Sequence, residues 1–227
     1  MIKIQNISKA YNVDSQKISI LENINLNINY GQKVAIVGSS GSGKSTLLSI
    51  ISGLDKPTSG KILYDDVDIN SMSEGTISNF RNRKIGIIFQ AFELVQFFTA
   101  YENVMLPLSI RGKENKNSKI LVDKLFEDIN LTHRKDNLPS ALSGGEQQRV
   151  AIARVLASGC DIIFADEPTG NLDSINGKKV LNLLLTSVNE NKKTLIIITH
   201  DINIAKQMDI IYEIKDGKIS ILENKNY

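Results

Sequence analysis

One stretch constrains the fold more than any other. The apolar residues 34–37 lead into Gly38, Ser39, Ser40, Gly41, Ser42, Gly43, Lys44 and Ser45, and then into a helix-like run with Thr46, Leu47, Leu48, Ile50 and Ile51. Strand, glycine-rich turn, helix is the setting in which G-x-x-x-x-G-K-[ST] reads as a phosphate cradle. The glycines let the backbone fold tightly, so that successive N–H groups point inward at an anion. The following helix adds its unpaired N-terminal donors and its positive dipole end. Lys44 then reaches the β- and γ-phosphates, and the Ser45 hydroxyl is placed to ligate Mg²⁺. The chain is expected to bind a nucleoside triphosphate.

The length of 227 residues fits one α/β domain carrying a subdomain. Charge is nearly balanced, with 27 basic against 25 acidic side chains, so the total carries no nucleic-acid footprint. The single cysteine, Cys160, excludes an intramolecular disulfide framework and reads as a small buried filler before an apolar strand. Residues 1–6 lack a basic-then-apolar leader pattern, and the longest strongly apolar run, 195–198, is strand-sized. A cytosolic chain, brought to a membrane only by a partner, is the expectation.

Along the chain, Ile2, Ile4 and Ile7, and then Ile24, Leu26 and Ile28 between asparagines, alternate as strands buried on one face. Residues 61–64 and 67–69 form a hairpin across Asp65-Asp66, and 85–89 is a compact strand ending at Gln90. From 91 to 139 the pattern turns helical, with Leu121, Val122, Leu125, Phe126 and Ile129 on one face. Strands at 162–165, 194–198 and 210–214 alternate with helices at about 174–188 and 202–207, which implies a parallel sheet with right-handed crossovers. Residues 215–218 are a hairpin turn leading to an antiparallel edge. The fold class is therefore α/β: a nucleotide-binding core with a mostly parallel sheet, an N-terminal antiparallel β subdomain and an inserted helical subdomain.

Two further clusters carry chemistry. The apolar run 162–165 ends in Asp166 and Glu167, placing one carboxylate to hold Mg²⁺ through water and the next to polarise an attacking water. Leu142, Ser143, Gly144, Gly145, Glu146 and Gln147 open a helix, making a second anion site that one triphosphate would not need. The economical reading is that it serves a nucleotide held by another subunit. Ser143 with Glu146 three residues on is also a capping box.

In this order the motifs resemble the nucleotide-binding subunit of an ABC transporter: Walker A at 38–45, Gln90, the signature at 142–147, Walker B at 162–166, Glu167 and His200. The resemblance runs from about Tyr11 to the final strands and implies one ABC ATPase domain over 1–227. Its core would span 1–90 and 159–227, and its helical subdomain 91–158. It implies ATP and Mg²⁺ as ligands, with residues 38–45 and Thr46 around the triphosphate and Ser45, Gln90 and Asp166 at the metal. Tyr11 matches the aromatic that stacks on adenine, although packing alone would also explain a Tyr there. Ser143 and Gly145 would contact the γ-phosphate across a dimer, and 171–173 would cross between the two sites. Glu167, His200, Lys44 and Gln90 form the implied catalytic set; His133, in a polar stretch, reads as solvated.

The implied partners are a second copy of the chain and an integral membrane permease, with no nucleic acid, at the cytoplasmic side of the membrane. Finer likeness at 54–60, 102–108 and 166–173 points to a branch of macrolide/peptide exporters, lipoprotein-release systems and antimicrobial-peptide resistance transporters. Phe92, Leu94, Val95, Phe97 and Phe98 would dock a permease helix, or pack in the helical subdomain; both readings are open. The rival readings are a soluble ABC ATPase acting on DNA or ribosomes, an inactive nucleotide-sensing module, and an importer ATPase. The first lacks its coiled coil or basic arm. The second sits poorly with an intact Glu167 and His200. The third sits poorly with an end at Tyr227, so soon after the last strand.

Overall fold

Alternation and turn chemistry decide the first elements. The computed structural model describes residues 1–13 and 16–224; Tyr227 lies outside them. In chain order the elements are β1 (Ile2–Val13), β2 (Gln16–Ile28), β3 (Lys33–Val37), α1 (Lys44–Ile51), β4 (Ser59–Tyr64), β5 (Val67–Asp68), α2 (Glu74–Lys84) and β6 (Ile85–Ile88). There follow α3 (Ala100–Ile110), α4 (Lys116–Asp128), α5 (Gly144–Ala157), β7 (Ile162–Asp166), α6 (Ser174–Glu190), β8 (Thr194–Ile198), α7 (Ile202–Ala205), β9 (Ile210–Lys215) and β10 (Lys218–Asn224). The chain divides into two compact units, Met1–Arg81 with Lys193–Tyr227, and Asn82–Lys192.

The first unit holds an antiparallel sheet in the order β2-β1-β4-β5. Ile2 pairs with Ile28, Ile4 with Leu26 and Ile7 with Ile24, and all six are buried. Period-2 alternation puts the intervening Asn23, Asn25 and Asn27 on the solvent face. Asp65 and Asp66, both at positive φ (50° and 66°), make the tight turn between β4 and β5. The hairpin is shorter than the expected 67–69, because the Asp68 carboxylate accepts the Asn70 N–H at 3.0 Å and turns the chain at Ile69. The same unit contains the strands β10-β9-β3-β8. There β3 is parallel to both β8 and β9, and β10 returns antiparallel through Asp216 and Gly217 (φ 49° and 71°).

The second unit contains the parallel pair β6–β7 and the helices α3 to α6. Its core joins Val104, Val122, Phe126, Leu142, Val150 and their neighbours from three helices. Gly86 is where α5 comes closest to β6: a Cβ there would lie 2.4 Å from Val155 Cγ1 and 2.7 Å from Cys160 Sγ. Cys160 is buried, as a filler should be. Helix α2 has no counterpart in the sequence reading. Ile77 is its only buried side chain, so no apolar stripe announces it.

Candidate nucleotide site

In the first unit the phosphate loop grows from a strand with no exposed face. Val34, Ala35 and Ile36 are fully buried, and the chain then turns through Gly38, Gly41 and Gly43 at φ 155°, 77° and 101°. Gly38 admits no side chain, since a Cβ would stand 2.4 Å from the Ile214 carbonyl oxygen. Helix α1 starts at Gly43 with no side chain capping it, so its first N–H groups keep their donors for an anion. The Lys44 ammonium donates to the carbonyls of Gly38 (3.0 Å) and Ser39 (2.8 Å), which sets it in the mouth of the loop. The Ser42 hydroxyl is buried without a hydrogen-bond partner. A loop with a poised cation, an uncapped helix start and an orphan donor fits a triphosphate.

His200 stands at the same strand end. β8 runs beside β3 with Ile198 opposite Ile36, and the Thr199 N–H donates to the Ile36 carbonyl at 3.2 Å. The Thr199 hydroxyl accepts the Asp201 N–H at 3.0 Å, fixing the backbone on either side of the exposed His200. Tyr11 is also in this unit, exposed on β1 opposite Ile18 of β2. Two residues further along β2, the Ile20 carbonyl and Leu21 side chain press against Gly43.

In the second unit, β6 and β7 are in parallel register with Ile88 opposite Ala165, so Gln90 and the Asp166–Glu167 pair leave the sheet at one end. The Asn171 amide donates to the Gln90 carbonyl at 2.9 Å, joining Gln90 to the 171–173 loop. Glu167 carries φ 44°, a left-handed conformation that costs a non-glycine residue energy and marks functional loops. Ser143 caps α5: its hydroxyl accepts the Glu146 N–H at 3.3 Å, while Glu146 accepts the Ser143 N–H at 2.7 Å. That bond, against the opposing effect of burial and with help from Arg134 at 3.1 Å, holds the Glu146 carboxyl below its ordinary range. Gly145 packs against Asn176, whose amide donates to Asp173 at 2.6 Å, so the signature turn touches the first turn of α6. His133 is exposed.

Two residues that sequence reasoning passed over shape the 92–99 segment. Asn103, fully buried, accepts the Val95 N–H at 2.8 Å and donates to the carbonyls of Val95, Phe98 and Thr99 at 3.0–3.1 Å. Arg154 donates to the carbonyls of Phe92 (3.0 Å) and Glu93 (2.6 Å). Thr99 and Glu102 form a capping box, T-x-x-E, which was readable in the sequence. Within the apolar stretch Leu94 belongs to the core with Phe92 against it, whereas Phe97 is 79% exposed.

Comparison with known proteins gives the class. The family profile described as ABC transporter matches residues 21–170. The lipoprotein-releasing system ATP-binding protein LolD of Treponema denticola is 43% identical over 219 residues, covering 96% of this chain and 97% of its own. An uncharacterized ABC transporter ATP-binding protein of Methanocaldococcus jannaschii, MJ0796, is 45% identical over 226 residues, covering 96% and 95%. The dimeric post-hydrolysis structure of that cassette bound to ADP and Pi superposes with a TM-score of 0.90 at 41% identity, over 99% of this chain and 100% of the other. The chain belongs to the ABC transporter family. It is a nucleotide-binding ATPase of that family, and several of its relatives are named for lipoprotein release.

Proposed function

We propose that this chain is the ATP-hydrolysing subunit of a transporter that extracts lipoproteins from a membrane, working as a dimer attached to a separate permease. The observation that carries this reading is the end-to-end similarity to proteins named for lipoprotein release, joined to a phosphate loop whose Lys44 is already poised between two carbonyls. Residues 1–227 act as one ATPase domain, with 91–158 as its helical subdomain. No helix among the described residues is long and apolar enough to cross a membrane. In this reading a permease supplies the membrane attachment, on the cytoplasmic side.

In the proposed cycle residues 38–46 hold the triphosphate, and Tyr11 stacks on its base. Ser45 and Gln90 would hold Mg²⁺ directly, and Asp166 would hold it through water. Among the described residues no three His, Cys, Asp or Glu side chains form a metal cluster. Mg²⁺ bound with a triphosphate needs only one or two protein ligands besides phosphates and water. When bound, Mg²⁺ offsets charge on the phosphate oxygens. Glu167 takes a proton from the attacking water, and His200 orients that water against the γ-phosphate. Ser143 and Gly145 of one copy close on the nucleotide of the other. The positive charge of Lys44 lowers the barrier by matching charge that develops in the transition state.

The test is reconstitution with a permease and a membrane-anchored lipoprotein. ATP-dependent release of the lipoprotein, lost in Glu167→Gln, is expected. ATP hydrolysis with no release from any lipoprotein-loaded membrane would overturn the transport assignment and leave the ATPase.

A further inference from the structure

Tyr11 is tethered by two residues to which the nucleotide chemistry assigns no part. Its hydroxyl donates to Asp55 Oδ2 at 3.1 Å, and the Lys9 ammonium meets the same oxygen at 2.7 Å. Asp55 Oδ1 accepts the Lys56 N–H at 2.7 Å, and Lys9 also donates to the Lys56 carbonyl at 2.7 Å. Lys9 is almost wholly buried, at 9% exposure, and its ammonium lies 4.8 Å from the centroid of the Tyr11 ring. Burial and the Asp55 bond both push the Tyr11 phenol above its usual range. Burial works against the Asp55 carboxylate, yet Lys9, the Lys56 N–H and Tyr11 hold it below the usual range. The three side chains are locked together, although Tyr11 is 42% exposed.

We propose that Lys9 and Asp55 are positioning residues that fix the tilt of the Tyr11 ring and leave one face open to a purine base. The proposal rests on the reading of Tyr11 as the base platform. An exposed ring on a strand would otherwise sample several rotamers, and ordering it on binding would cost affinity. The Asp55 bond removes that freedom beforehand. The Lys9 cation occupies one face and draws π-electron density toward itself, so the opposite face repels the π cloud of a stacked base less. Placement agrees: Tyr11 pairs with Ile18, two residues from the Ile20 carbonyl that abuts Gly43 of the phosphate loop. That puts the ring roughly 7 Å along the strand from the cradle, within reach of a base whose phosphates lie in it.

The experiment is steady-state ATP hydrolysis by Lys9→Met, Asp55→Asn, Tyr11→Phe and Tyr11→Ala, with tripolyphosphate as a competitor that lacks a base. Lys9→Met keeps the buried stem, and Tyr11→Phe keeps the ring, so the tether is broken without emptying the site. The KM for ATP should rise roughly three- to tenfold in the first three variants, with kcat within about twofold and tripolyphosphate inhibition unchanged. An unchanged KM in these three, with a raised KM in Tyr11→Ala, would overturn the tether while leaving the platform. An unchanged KM in Tyr11→Ala would remove the platform itself. A fall in kcat and in tripolyphosphate binding together would mark a merely structural role and also overturn the proposal.

Discussion

In the proposed cycle Lys44 serves binding and Glu167 serves turnover, and single substitutions separate the two roles. Lys44→Ala removes an ionic partner of the phosphates worth about 1.5–3 kcal/mol, so ATP affinity should fall roughly 10- to 100-fold by calorimetric titration. Glu167→Gln keeps the shape and loses the base; turnover should drop about 10²- to 10⁴-fold in a phosphate-release assay, with ATP still bound. Both residues were readable in the sequence because each sits at a fixed offset from an apolar strand. The left-handed backbone of Glu167 was not readable, since only the fold around it imposes that angle. Asn103 also escaped notice: a buried amide whose partners are backbone groups several residues away leaves no pattern in the sequence.

At the scale of elements, the account turns on how α3 and α5 are anchored. Asn103→Ala would strand the Val95 N–H, take the side-chain donor from the Phe98 carbonyl and leave the Val95 and Thr99 carbonyls with only their main-chain donors, costing about 1–3 kcal/mol in chemical denaturation and loosening the segment that displays Phe97. Gly86→Ala would press a methyl into Val155 and Cys160, both buried, and should cost about 1–3 kcal/mol by overpacking. The α5 cap adds a pH signature. Glu146 ionises below its ordinary value of 4.5 when folded, so its contribution is complete above about that pH. The contribution shrinks as pH falls through the lower folded value. Thermal melts of the native chain and Glu146→Gln should therefore converge in acid and differ by a constant amount above pH 5; divergence growing toward acid would contradict the cap. Elements with strong periodicity or capping pairs, such as β3, α5 and α6, were legible beforehand. Helix α2, which buries Ile77 and no other side chain, was not.

For the whole molecule, the sequence order of motifs carried the family, and the family carries the dimer. In the proposed cycle the phosphate loop and the Ser143 turn are each half of a pocket, because the sequence offers two glycine-rich helix starts for one triphosphate. Light scattering of Glu167→Gln with and without saturating Mg·ATP measures this directly. The account predicts a shift from about 25 kDa, the mass of one chain, to twice that mass on adding nucleotide. A variant that binds ATP yet keeps the mass of a single chain would contradict it.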